Sequence, residues 1–178
     1  VNLFAQDASL QKIKKKKYSS VLEKSVIKSK LLTDVKLSEN GKKRSTTSYK
    51  VLENGYVLET SIIQLGGGGT WTNFELEKLL YDLDFNPVEM LTQVWDGVNW
   101  INETRALQTY TASGQLKDKL LQLWNGTSWD DDVKLSYEYN TENKVSVVTY
   151  FSVVQNGVYN PVSRDLLTYT DNPYTETT

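Results

Sequence analysis

A six-residue pattern occurs twice in this chain, and its spacing constrains the fold more than any other feature. Residues 95–100 read Trp-Asp-Gly-Val-Asn-Trp, and residues 124–129, which lie 29 positions later, read Trp-Asn-Gly-Thr-Ser-Trp. The same shift aligns further residues, namely Trp71 with Trp100, Gly68 with Gly97, Gln64 with Gln93 and Gln122, and Tyr81 with Tyr110 and Tyr139. A fixed period of roughly 20 to 50 residues is typical of stacked supersecondary units. The chain is therefore predicted to contain tandem copies of one small unit.

The residues between the two Trp of each copy predict a β-hairpin. Asp-Gly and Asn-Gly are strong turn signals between antiparallel strands, because a tight turn requires a positive φ. A corner at Gly97-Val98 pairs Trp95 with Trp100, whereas a corner at Asp96-Gly97 shifts the register. Side chains alternate along a strand, so both registers place Trp95 and Trp100 on one face. The same argument places Trp124 and Trp129 on one face.

The far end of each copy carries a second turn signal. Tyr81, Tyr110 and Tyr139 are each followed by residues that favour turns, such as Asp, Asn, Ser and Gly. Each copy then consists of a strand, a tight corner, a second strand from Trp to Tyr, and a looser turn. The predicted fold class is all-β: an antiparallel meander of repeated two-stranded hairpins that forms a single twisted or partly rolled sheet.

Local propensity and the repeat disagree over residues 73–84. A helix-capping Asn73 is followed by apolar residues at helical spacing, which favours an amphipathic helix. The segment is nevertheless in phase with residues 100–110 and 129–139, which the repeat predicts as strands. We expect a strand, because tertiary context overrides the propensity of a single segment.

The sequence divides into four regions. Residues 1–6, Val-Asn-Leu-Phe-Ala-Gln, resemble the end of a secretory signal peptide cleaved after Ala5. Residues 7–30 form a basic N-terminal arm, either a weak helix or disordered. Residues 31–172 are the predicted hairpin array, and the Thr-rich residues 173–178 are predicted to be a frayed tail.

Composition excludes several kinds of site. The chain has no Cys, which excludes disulfides and thiolate metal sites, and no His, the commonest general base and transition-metal ligand. No apolar run approaches the roughly 18 residues of a membrane helix. We therefore predict no cofactor, no bound metal and no transmembrane segment.

Charge is distributed unevenly along the chain. Through Lys50 there are 13 basic and four acidic residues, whereas the remainder has seven basic and 18 acidic residues. One interpretation is a solvated basic surface joined to an acidic sheet. The other is an arm that contacts a polyanion, such as envelope polysaccharide or acidic lipid headgroups. Nucleic acid is not an expected partner, because the predicted signal peptide directs the chain out of the cell.

Two motifs resemble ligand-binding loops only in part. Gly66–Gly69 lacks the Lys and the following helix of a phosphate-binding loop, so an ordinary Gly-rich corner is expected. Asp82, Asp84 and Asn86 have the opening spacing of a calcium loop, but the later ligand positions do not match. A solvated turn is the better interpretation.

Acidic residues supply the strongest catalytic alternative in a chain without His. Asp130, Asp131 and Asp132 form the densest cluster, and Asp96 and Glu103 lie near the preceding corner. A pair of carboxylates hydrolyses glycosides when one is held protonated in a cleft. A shallow meander is not expected to provide that cleft.

The repeats resemble the tandem aromatic hairpin repeats of secreted and surface proteins of Bacteroidetes, which often carry a C-terminal sorting domain. The resemblance covers residues 64–169 and depends on Trp71, Trp95, Trp100, Trp124, Trp129, Tyr81, Tyr110 and Tyr139. It implies an extracellular role. The Leu-Phe-Ala-Gln start agrees with export.

The Trp side chains decide between two functional interpretations. Aromatic rings on one face contribute about 0.5–1.5 kcal/mol per pair when they pack on one another. They also present flat surfaces for sugars. We expect a non-catalytic secreted or cell-surface module with a structural or adhesive role. The alternative is a carbohydrate-binding module that uses an exposed row formed by Trp95, Trp100, Trp124 and Trp129.

Overall fold

The computed structural model of the protein describes residues 32–37, 42–67, 69–154 and 158–169. These residues form ten strands: β1 (Leu32–Leu37), β2 (Lys43–Val51), β3 (Val57–Gly67), β4 (Thr70–Tyr81), β5 (Pro87–Trp95), β6 (Trp100–Tyr110), β7 (Leu116–Trp124), β8 (Trp129–Tyr139), β9 (Val145–Val154) and β10 (Val158–Leu166). The strand order in the sheet is the order of the chain. This confirms the all-β antiparallel meander that the repeat predicts.

Most of the disputed segment, residues 73–84, is a strand: residues 73–81 lie within β4, which pairs in antiparallel register with both β3 and β5. Residues 82–84 belong to the turn that follows β4. The repeat was therefore the better guide than local helix propensity. The predicted signal-peptide remnant (1–6), the basic arm (7–30) and the tail (173–178) lie outside the described residues.

The chain divides into two compact units, Val1–Glu103 and Thr104–Thr178. The buried apolar side chains of the first are Val57, Ile63, Leu76 and Tyr81, and those of the second are Ala106, Val147 and Val148. Among the described residues, no large side chain is fully enclosed. Each core is shallow, so pairs of side chains across neighbouring strands carry much of the stability.

β-Bulges recur at fixed points of the copies. Phe74 of β4 has no partner on β3, and Asp132 of β8 has none on β7. At the Tyr end, Val88, Lys117 and Ser146 are skipped in the same way and lie 29 positions apart. A bulge bends its strand and increases the local twist. The copies therefore share their bends as well as their turns.

The turns at the Tyr end are four loops of one design, formed by residues 52–56, 82–86, 111–115 and 140–144. In each, the N–H of the first residue donates to the carbonyl of the fifth at 2.8 to 3.0 Å. The fourth residue has a positive φ in every loop, and these residues are Gly55, Phe85, Gly114 and Asn143. The predicted Tyr-plus-turn punctuation is thereby confirmed.

Tyrosine hydroxyls fasten this end of the sheet. Tyr139 donates to the carbonyl of Leu116 at 2.8 Å, and Tyr169 donates to the carbonyl of Val145 at 2.9 Å. In both cases the acceptor is the first residue of a neighbouring strand. Tyr139 of the Tyr column and the later Tyr169 therefore have a structural role.

Candidate functional site

The two Trp-to-Trp corners have the same backbone geometry. Trp124 pairs with Trp129, so four residues form the loop between them. In this corner and in the one between Trp95 and Trp100, the N–H of the first loop residue donates to the carbonyl of the fourth at 3.1 Å. Of the two registers considered, the one with Gly97-Val98 at the corner is therefore present.

Each Trp pair packs edge to face. The ring centroids of Trp95 and Trp100 lie 5.1 Å apart at an interplanar angle of 64°. Those of Trp124 and Trp129 lie 5.2 Å apart at 62°. All four side chains are half-buried. The two rings of each pair share a face, as predicted, but they do not form a flat strip.

Asp96 and Asn125 cap their corners with their own side chains. The Oδ1 of Asp96 accepts hydrogen bonds from the N–H groups of Val98 and Asn99 at 2.7 and 2.6 Å. Asn125 accepts the equivalent bonds in its own loop at 2.9 Å. The bond from Asn99, followed by that from Val98, lowers the pKa of Asp96, because N–H donors stabilise the charged carboxylate. Asp96 is therefore suited to capping a turn and unsuited to donating a proton.

The first copy has only one Trp at its corner. Gly66 pairs with Trp71 and stands where the other copies have Trp95 and Trp124. Its φ is +143°, and an added Cβ would lie 2.3 Å from the carbonyl oxygen of Thr70. No side chain fits there without moving the backbone, which explains why the aromatic pair is incomplete.

A pair of hydrogen-bonded side chains lies beside each corner. The Nε2 of Gln64 donates to Asn73 at 2.7 Å, that of Gln93 to Asn102 at 2.8 Å, and that of Gln122 to Asp131 at 2.6 Å. The Gln column was visible in the sequence. The Asn/Asp column was missed, although its members also lie 29 positions apart.

Arg44 and Arg105 complete this arrangement in the first and third copies. Their Nε atoms donate to the Oε1 of Gln64 and Gln122 at 2.7 and 2.8 Å. Each guanidinium also lies 4.7 Å from the ring centroid of a corner Trp, namely Trp71 and Trp129. Such a contact contributes about 0.5–1 kcal/mol at an exposed site. The spacing between Arg44 and Arg105 is not a multiple of 29, so the repeat does not align them. Only the strand pairing shows that both occupy the position opposite Gln.

The third copy has a further connection through Asp131. The hydroxyl of Tyr159 donates to the second carboxylate oxygen of Asp131 at 2.5 Å. This hydrogen bond raises the pKa of Tyr159 to about 12, because the charged phenolate would lose it. The Nζ of Lys134 lies 5.0 Å from the Tyr159 ring centroid. Arg105, Gln122, Asp131 and Tyr159 thus form one hydrogen-bonded chain within this unit.

The aspartates considered for hydrolysis do not converge. Asp131 is bonded by Gln122 and Tyr159, whereas both oxygens of Asp130 accept from the amide of Asn125 at 3.0 Å. Asp130 and Asp131 are adjacent in β8 and point to opposite faces. Asp132 is exposed at the bulge. The geometry required for a carboxylate pair is not formed by these three residues.

Asp82 is occupied by its own turn rather than directed at a ligand. Its Oδ1 accepts from the N–H groups of Asp84 and Asn86 at 2.9 and 2.8 Å, and its Oδ2 accepts from the amide of Asn86 at 3.2 Å. No set of three or more acidic side chains in the described part of the chain is arranged for a metal ion. The segment is therefore interpreted as a capped turn.

Burial raises the pKa of Glu77 on the first unit, and the neighbouring carboxylates of Glu75 and Glu59 raise it further.

A surface depression of about 460 Å³ is lined by residues 50–54. One turn supplies this lining, so the depression is not a cleft between elements. Within the described ranges, no helix has the length and apolar character needed to cross a bilayer.

The described residues form an antiparallel meander in which two hairpin corners each carry a packed pair of Trp side chains. No family model matches the chain, and no curated protein matches its sequence. Its structure is similar to that of a DUF3836 family protein from Bacteroides vulgatus ATCC 8482, with 16% identity, a TM-score of 0.43, and coverage of 49% of this chain and 90% of that one. It is also similar to a protein with unknown function from Bacteroides fragilis NCTC 9343, with 14% identity, a TM-score of 0.49, and coverage of 78% and 93%. Neither likeness indicates what this chain does.

Proposed function

We propose that the protein is a non-catalytic repeat module, secreted or held at the cell surface, with a structural or adhesive role. The observation that carries the proposal is the use of the repeated polar residues. Those beside the corners bond to one another across strands, as Gln122 does with Asp131, and those in the loops cap backbone N–H groups, as Asp96 does. Repeated residues that build a surface are suited to display and adhesion.

Adhesion is tested with protein-coated microspheres on surfaces carrying neutral polysaccharide, acidic polysaccharide or matrix glycoprotein, with albumin-coated spheres as the control. We expect retention above the albumin level on at least one surface. Retention equal to albumin on all of them contradicts an adhesive role. Turnover of any glycoside by the purified protein contradicts the non-catalytic part.

The cellular location is a separate proposal, supported by the signal-like residues 1–6 and the resemblance to exported repeats. Protease treatment of intact producing cells, followed by mass spectrometry, tests it. Peptides from residues 32–169 should be released from intact cells or found in the medium. Their confinement to the lysed fraction would contradict export.

The basic arm is proposed to contact a polyanion. Lys14–Lys17 form a run of four cations within residues 7–30. Attraction of such a run to acidic vesicles or polysaccharide weakens as salt is added. Replacement of all four Lys by Gln should reduce binding to vesicles containing phosphatidylserine, and sedimentation of the vesicles measures it. Unchanged binding at low salt would contradict the proposal.

A carbohydrate-binding module is the second candidate, because the four corner Trp are half-buried and retain ring surface open to solvent. Quenching of Trp fluorescence against a panel of polysaccharides tests it. An unchanged spectrum with every polysaccharide, while the protein stays folded, would count against this candidate.

A further inference from the structure

The middle copy lacks an arginine that the other two copies have. Gln64 pairs across the strands with Arg44, and Gln122 pairs with Arg105. The residue that pairs with Gln93 is Leu76, which is 5% exposed. An apolar side chain therefore stands where the other copies place a guanidinium.

This substitution leaves hydrogen-bonding groups open at the middle corner. Gln93 uses its Nε2 to donate to Asn102, and among the described residues neither its Oε1 nor the Nδ2 of Asn102 has a protein partner. In the first and third copies an Arg Nε bonds the Gln Oε1 instead. One acceptor and one donor thus remain on adjacent strands.

The aromatic rings of the middle copy are also less covered. In the flanking copies a guanidinium lies 4.7 Å from a corner Trp. In the described part of the chain, no cation lies over Trp95 or Trp100, and both side chains are half-buried. Indole surface therefore remains available beside the open amide groups.

We propose that this middle corner, formed by Trp95, Trp100, Gln93 and Asn102, binds a neutral pyranose unit of an extracellular glycan. The proposal rests on the adhesive role above and names its ligand class. A sugar hydroxyl both donates and accepts, so it satisfies the Gln Oε1 and the Asn Nδ2 together. The apolar C–H face of the sugar ring packs on the indole of a corner Trp. Such a combination of apolar surface with a few well-placed polar groups is typical of ligand-binding sites.

Charge selects a neutral sugar over an acidic one. Residues 51–103 contain nine acidic residues and one Lys, namely Glu53, Glu59, Glu75, Glu77, Asp82, Asp84, Glu89, Asp96, Glu103 and Lys78. An anionic sugar would be repelled by this field, whereas a neutral one would not. The site is therefore distinct in ligand charge from the basic arm.

The test measures binding by the full chain through the indole N–H resonances of its five Trp. The probes are neutral hexasaccharides of glucose, mannose and xylose at millimolar concentration, with oligogalacturonate as the acidic comparison. Leu76→Arg installs the residue that the flanking copies have, and Asn102→Ala removes the open donor. Asn73→Ala is the matched control, because it removes the same side-chain pair from the copy that Arg44 closes.

We expect a neutral hexasaccharide to shift the Trp95 and Trp100 resonances and oligogalacturonate to shift neither. Asn102→Ala should weaken binding about tenfold, which corresponds to about 1.4 kcal/mol. Leu76→Arg should abolish binding in a folded protein, and Asn73→Ala should leave it within about twofold of the original.

Three results would overturn the inference: no shift with any neutral hexasaccharide, shifts confined to other Trp, or equal losses in Asn73→Ala and Asn102→Ala. The microsphere adhesion assay distinguishes failure of the proposed sugar site from failure of the proposed adhesive function. Adhesion to acidic polysaccharide or glycoprotein without a neutral-sugar response refutes the site alone, whereas absence of both refutes the adhesive role as well.

Discussion

Replacement of Gly66 by Ala should destabilise the protein far more than the same change at Gly126. A Cβ at Gly66 would lie 2.3 Å from the Thr70 carbonyl oxygen, and its φ of +143° is one that other residues rarely adopt. Backbone strain of this kind costs about 1–3 kcal/mol. The displacement needed to relieve an overpacked contact adds about 1–3 kcal/mol. We therefore expect a loss of about 2–6 kcal/mol from the free energy of unfolding.

Gly126 provides the matched control. It also has a positive φ, +101°, but an added Cβ would meet no atom within 4 Å. Only the backbone strain applies to this residue, so Gly126→Ala should cost about 1–3 kcal/mol. Urea unfolding followed by Trp fluorescence measures both variants under identical conditions. If Gly66→Ala is no more destabilising than Gly126→Ala, the steric account of the missing Trp is wrong.

Three further predictions concern titratable groups. Burial raises the pKa of Glu77 in the folded state, so its contribution to stability is present below the unfolded pKa and lost as pH rises. Glu77→Gln should therefore stabilise the protein at pH 7 and not at pH 4 in urea unfolding, and equal effects at both would contradict this. The pKa of Tyr159 is raised from 10.0 to about 12, so its contribution is present below pH 10 and lost through pH 12. Tyr159→Phe should show a shallower loss of stability over that alkaline range than the unchanged protein, and parallel profiles would refute the Asp131 bond. Asp96→Ala should lower the free energy of unfolding, whereas Asp96→Asn, the residue type found at this position in the third copy, should retain most of it. If both variants lose the same free energy of unfolding, the hydrogen bonds from the side chain at position 96 to the loop do not stabilise the protein.

The sequence alone was sufficient to predict the fold, because the residues that recur every 29 positions mark the same places in each two-stranded unit. The period placed the Trp of each corner on one face and predicted residues 73–84 as strand against their own propensity, and residues 73–81 do lie in β4. A helix at this position would have broken the pairing of two neighbouring strands. Agreement among copies therefore carries more information than the preference of one segment.

The side-chain contacts at the corners were harder to predict, for two physical reasons. Arg44 and Arg105 lie 20 and 17 positions from the Gln residues they bond, so a fixed period does not align them. Tyr159 reaches Asp131 only because of how β8, β9 and β10 pair, and bulges such as the one at Val162 shift the register of those strands. Bulges leave little trace in a pattern of polar and apolar residues.

The middle corner shows what comparison within one chain can detect. Leu76 is unremarkable in the sequence, since an apolar residue in a strand is ordinary. It becomes informative only beside Arg44 and Arg105, which hold the same position relative to Gln in the other copies. Leu76 lies 29 positions before Arg105, so the period aligns the two residues, but the role of this position as the strand partner of Gln was not visible until the strand register was known.

The even number of strands in each 29-residue copy has a consequence for how the gene can change. Two strands return the chain to its original direction, with Trp and Gln on the same face as before. In a repeat protein each unit contacts mainly its neighbours. Unequal recombination that inserts or deletes one whole copy would thus preserve every remaining strand pairing, whereas gain or loss of half a copy would reverse all that follows.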